Sequence, residues 1–145
     1  MFDLYFIALL IHVICAIIFV GYLFFDVVIF SKAKKLLSQD ESLKASEAIM
    51  KNGIKIMPFC VLALLITGLL MINKWVGFEI GFISLTYQKI FMIKLISAGI
   101  IFIAVAINLT HKLILKKPSP FKDIHPIALV LAIIIIFCAK LIHYV

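Results

Sequence analysis

The chain has 145 residues, of which 66% are apolar and 14% charged, and its mean hydropathy is +1.26. So large an apolar share exceeds the ~45–50% of a soluble domain, and a chain this short cannot hide it, which excludes a cytosolic enzyme, a nucleic-acid-binding domain and a disordered tail. The net charge of +7 rests on 14 lysines against 7 acids, with no arginine to grip phosphate in a bidentate fork, so the basic balance reads as membrane topology.

Four apolar runs, at about 4–30, 54–73, 90–110 and 126–145, are each long enough to cross ~30 Å of hydrocarbon as a helix. They predict an all-α, integral membrane four-helix bundle forming a single domain, in contact with the lipid bilayer and with no nucleic-acid partner. The first run is broken only by His12 and Asp26. It lacks a basic leader and is too long for a cleavable signal. The connection over 31–53 mixes Leu36, Leu37, Leu43, Ile49 and Met50 with charges. It is expected to continue the first two helices beyond the bilayer and to turn near Gln39-Asp40-Glu41-Ser42. In the middle connection, Trp75 and Tyr87 are suited to the interface. The third connection, with Pro118-Ser119-Pro120, reads as a loop. Asp123 or His125 precedes Pro126, a residue that suits the first helical position. Residues 31–55 and 112–122 hold ten lysines against two over 74–89. That asymmetry predicts both termini on the outer side, in a multi-pass protein of a bacterial-type inner (plasma) membrane.

Polar groups retained inside spans are costly and are the functional candidates. His12, Cys15, Phe19, Tyr22 and Asp26 share one face of the first helix, and Lys94, Ser97, Ile101, Asn108 and His111 share one of the third. His125, Leu129, Ala132, Ile136, Lys140 and His143 do so on the fourth, and Met57, Cys60, Leu64, Gly68 and Met71 on the second. The helix directions sort these into two layers. The outer layer holds His12, Lys94, Ser97, Met71, Met92, Cys138, Lys140 and His143. The inner one holds Asp26, Asn108, His111 and His125, with Met57 and Cys60 nearby. Imidazole, thiol and thioether together suit soft Cu(I), so His12, Cys15, Met92, Cys138 and His143 are candidate metal ligands. Two imidazoles, or an imidazole with a lysine amine, suit the axial positions of haem iron, which makes His12 with Lys94 or His143 the alternative. Asp26 is expected to pair with a lysine of the first connection or with His111. His111 and His125 read as interfacial residues, and Lys140 as a snorkelling end residue. The three cysteines read first as small buried hydrophobes with no disulfide framework.

The stretch from Thr86-Tyr87-Gln88-Lys89 through Lys94-Leu95, with Asn108 thirteen residues on, resembles the third helix of the copper resistance D (CopD) domain. Gln88 stands where that family has glycine, and Lys89 where it has arginine. Leu10-Ile11-His12-Val13-Ile14, with Gly21, resembles the first helix shared by CopD and by HemJ-type protoporphyrinogen oxidases. Met57-Pro58 and Thr67-Gly68-Leu69 resemble their second. The CopD likeness implies copper handling or transport in the inner membrane. The HemJ likeness implies haem b held by His12 and Lys94 in a redox enzyme or electron carrier. Phe24-Phe25-Asp26 and Ile29-Phe30-Ser31 replace the late first-helix residues of HemJ-type proteins, so CopD is the nearer. A third expectation is a small structural or assembly subunit, whose polar seam only sets helix packing. Four-helix membrane proteins of this size also suit a homodimer or a larger membrane complex.

Overall fold

In a computed structural model of the chain, residues 3–117, Pro120 and 124–145 are described. Pro118, Ser119, Lys122 and Asp123, which figured in the expected third loop, its lysine count and the start of the fourth helix, lie outside the described residues. Four helices are long and apolar enough to cross a membrane: α1 (Leu4–Leu36), α2 (Gln39–Lys74), α3 (Thr86–Leu113) and α4 (Ile124–Leu141). The protein is an all-α, four-helix membrane bundle.

The order is up-down-up-down. α1 packs along α2 and α3 along α4, the two hairpins join through α1 and α4, and α2 and α3 touch little. Phe19 and Leu23 of α1, Val61 of α2, Ile101 of α3, and Ala128, Leu129 and Ala132 of α4 meet in one central core. A second cluster of Val76, Phe91 and Ile142, with Trp75 and Tyr87 against it, plugs the end opposite the lysines. Trp75 stacks on Phe91 at 6.2 Å and meets Tyr87 and His143 edge-on. The outward faces are apolar nearly throughout, as lipid requires.

Two helix boundaries depart from the expected ones. The first turn falls at Leu37 and Ser38, because Ser38 and Glu41 form a capping box that starts α2 at Gln39. Pro126 is the third residue of α4 and not its first, since the helix begins at Ile124. The middle connection is tied down by Gln88, whose side chain is fully buried. Its Oε1 accepts from the Ser84 and Leu85 amides at 2.9 and 3.1 Å, and its Nε2 donates to the Ile80 and Gly81 carbonyls at 2.8 and 3.2 Å. Gly81 takes a φ of +84°, a left-handed conformation that favours glycine. Within the lysine-rich half of α1, Phe25–Phe30 form a π-helical segment, a widened turn that is frequent at functional sites.

Candidate functional site

Between the end plug and the central core lies a polar layer built from all four helices. His12 of α1 is half-buried and its Nδ1 stands 2.8 Å from Oγ1 of Thr67, which is 5% exposed on α2. The Thr67 hydroxyl sits 2.6 Å from the Ala63 carbonyl one turn earlier, and its single proton is directed there. Its oxygen therefore acts as acceptor toward the imidazole, so Nδ1 carries the proton and the neutral ring keeps its lone pair on Nε2. A histidine whose second nitrogen is oriented this way is set up as a metal ligand or a base.

Cys15 lies three residues further along α1 on the same face. It interacts with the thiol of Cys60, which is buried on α2, and both cysteines are free. The α1–α2 seam thus carries one imidazole and two thiols within about two helical turns. Across the bundle, Lys94 of α3 is within electrostatic range of His12 and of the buried Cys138 on α4, and its ammonium lies 5.8 Å from the Phe91 ring centroid. Ser97 is buried on the same helix.

The expected five-residue ligand set is not gathered in one place. His143 is exposed at the chain end and packs edge-on to Trp75, outside the polar layer. Met92 is half-buried on α3, and Cys138 neighbours Lys94. The reason is the packing order: α1 seats its polar face against α2, while α3 stands across the bundle diagonal and pairs with α4. Among the described residues no group of three His, Cys, Asp or Glu side chains forms a metal-sized cluster. The sequence reading missed Thr67, which it used only as part of a likeness. A threonine inside an apolar span, where its hydroxyl can bond back to its own helix and across to a neighbour, was the available signal.

The inner layer is organised by a different pair. Asp26 Oδ2 meets His125 Nδ1 at 2.6 Å, and Tyr22 meets the same imidazole edge-on at 6.0 Å. This corrects the expected partners of Asp26: the π-helical turn packs against α4, which brings Asp26 to the first turn of that helix. Asn108 lies on the wall of a cavity that also reaches Tyr22, Asp26 and His125. His111 is half-buried, with its Nδ1 enclosed and lacking a hydrogen-bond partner among the described residues. Lys140 is exposed at the end of α4, as a snorkelling residue should be.

What this arrangement offers chemically is a soft, oriented donor set near mid-bundle and a separate acid–imidazole pair nearer the lysines. Comparison with family models, with curated proteins and with solved structures finds no match for the chain.

Proposed function

We propose that the protein handles Cu(I) within the membrane, accepting it at His12 Nε2 and Cys15 with Cys60 alongside. The observation that carries this reading is the His12–Thr67–Ala63 hydrogen-bond chain, which leaves the Nε2 lone pair unprotonated in the neutral ring next to two interacting thiols. Cu(I) is soft and tolerates two donors, so a cluster of three acidic or sulfur ligands is not required. One thiolate, one neutral imidazole and one Cu(I) sum to zero charge, which suits a low-dielectric interior. Copper is the cargo here, and loading releases the Cys15 proton. Because the central core separates this layer from the lysine-rich end, the reading is of a membrane binder that passes its ion on, and not of an open pore.

The lysine asymmetry supports a bacterial-type plasma membrane with both termini outside, which puts the donor set in the outer half. Any homodimer or larger complex would form through the apolar outer faces. Haem b held by His12 and Lys94 fits less well. A porphyrin needs space beside those two residues, and the large cavity is lined by neither of them.

Competition of the purified protein against a chromophoric Cu(I) chelator tests the proposal. One Cu(I) per chain is expected, lost in Cys15→Ser and weakened in His12→Ala and Cys60→Ser. A wild-type protein that retains no more copper than the Cys15→Ser, Cys60→Ser double variant overturns it, and leaves the packing role of the seam as the better account.

A further inference from the structure

Beyond the central core, toward the lysine-rich end, the bundle holds a half-open cavity of about 770 Å³. Its walls come from all four helices, and along α1 it runs from Phe19 to Lys34, about 22 Å of helix. The deep part is apolar: Phe19, Leu23, Ile101, Ala104 and Leu131. The mouth is cationic, with Lys34 and Lys112 on its rim. Asp26 also faces the space, but its carboxylate is engaged by His125 at 2.6 Å. Lys112 donates to the Met50 sulfur at 3.6 Å, and Lys34 stands 5.0 Å over the Phe30 ring. A thioether and a ring face are weak partners for ammonium groups, so both retain hydrogen-bonding capacity for an anion. α2 and α3, which both line the cavity, touch little.

We propose that this cavity takes one long-chain fatty-acid anion from the adjoining leaflet, with its carboxylate at Lys34 and Lys112 and its chain against the apolar lining. The volume lies within the ~300–1,000 Å³ range of single small-molecule sites. The charge at the mouth and the apolar depth match the two ends of that molecule, and its length matches the wall. A lysine head with an aliphatic stem suits the water–lipid boundary, where the carboxylate sits. The Cu(I) layer is separate, so this site stands or falls independently of it.

Saturation binding of radiolabelled palmitate to the copper-free protein in neutral phosphatidylcholine nanodiscs tests the proposal. One palmitate per chain is expected. The Lys34→Gln, Lys112→Gln variant, altered only on the rim, is expected to lose roughly tenfold or more in affinity, the scale of one charge-assisted contact. Ala104→Phe, which fills the apolar depth, is expected to abolish saturable binding at an unchanged melting temperature. Cys15→Ser is expected to bind palmitate as the wild type does. Hexadecanol competing as well as palmitate overturns the proposal, as does uptake that is equal in the wild type and both cavity variants. Displacement of palmitate by phosphatidylglycerol at equal concentration assigns the space to a two-chain lipid and overturns it too. So does a cross-linked dimer that excludes palmitate, which assigns the opening to a second copy.

Discussion

Replacing Thr67 by Val removes one hydroxyl at nearly constant volume and isolates what orients His12. Thr67 is 5% exposed, so water does not replace the lost acceptor. Interhelical hydrogen bonds of this kind inside membranes average about 0.6 kcal/mol and reach about 1.7 kcal/mol, so the fold is expected to survive with a modestly lower melting temperature. The effect on the metal is expected to be larger. Once Nδ1 is no longer required to donate to Thr67, the proton moves freely between the ring nitrogens, and outer-shell partners of a ligating histidine are worth about 10–100-fold in metal affinity. Chelator competition reads that loss, with Thr67→Ser, which keeps the hydroxyl, close to wild type. NMR of ring-nitrogen-labelled histidine reads its cause directly: protonated Nδ1 and bare Nε2 in the wild type, and a tautomer mixture in Thr67→Val. A wild-type spectrum with the proton on Nε2, or undiminished Cu(I) affinity in Thr67→Val, refutes the reasoning.

Asp26→Asn and His125→Gln, made singly and together, are expected to show a coupling free energy near 0.6 kcal/mol and no more than about 1.7 kcal/mol, in line with measured membrane interiors, and additive melting temperatures would argue against the pair. Gly53→Ala places a methyl 3.0 Å from the Tyr22 hydroxyl oxygen and 3.2 Å from the ring carbon that bears it, so α1 and α2 must separate or the ring must turn. Overpacking of that kind costs about 1–3 kcal/mol, and Tyr22→Phe is expected to restore part of it in a thermal melt. Glu41 lies outside the spans, and the Ser38 amide and hydroxyl hold its carboxyl below the ordinary 4.5. A carboxyl depressed on folding stabilises the folded state above its unfolded value and loses that contribution as pH falls through the lower folded one. Protection of the first-turn amides of α2, relative to their intrinsic exchange rates, is therefore expected to fall as the solution is acidified below about 4.5, and to lose that pH response in Glu41→Gln.

The helices were legible because lipid imposes a composition that no short soluble chain can imitate, and the four runs stand as four helices. Their ends were less legible where a side chain set them. Ser38 and Glu41 form a capping box that the charge pattern at 39–42 concealed. Gln88 reads from sequence as a departure from a family glycine. In the fold its four hydrogen bonds satisfy amides and carbonyls of the irregular segment before α3. Unpaired backbone groups at that depth are expensive, and one buried amide side chain with two donors and a carbonyl oxygen settles four of them.

The polar residues were legible as exceptions, but their partners were not, because helical periodicity assigns a face and says nothing about which helix it meets. His12 was singled out for its depth, and the structure gives it Thr67, a residue with no charge to draw attention. Asp26 was assigned by proximity in sequence to lysines or to His111, whereas the π-helical turn carries it to His125, 99 positions away. A widened turn changes the register of every residue after it, so a face drawn with a regular helical period through residues 25–30 misplaces the side chains beyond. That same turn holds the inner pair on the wall of the cavity while the soft donors stay on the far side of the central core. The two layers therefore answer to different substitutions: changes at Thr67 or Cys15 act on copper and leave the Asp26–His125 pair in place. Removing that pair loosens α1 from α4 without touching the His12 tautomer.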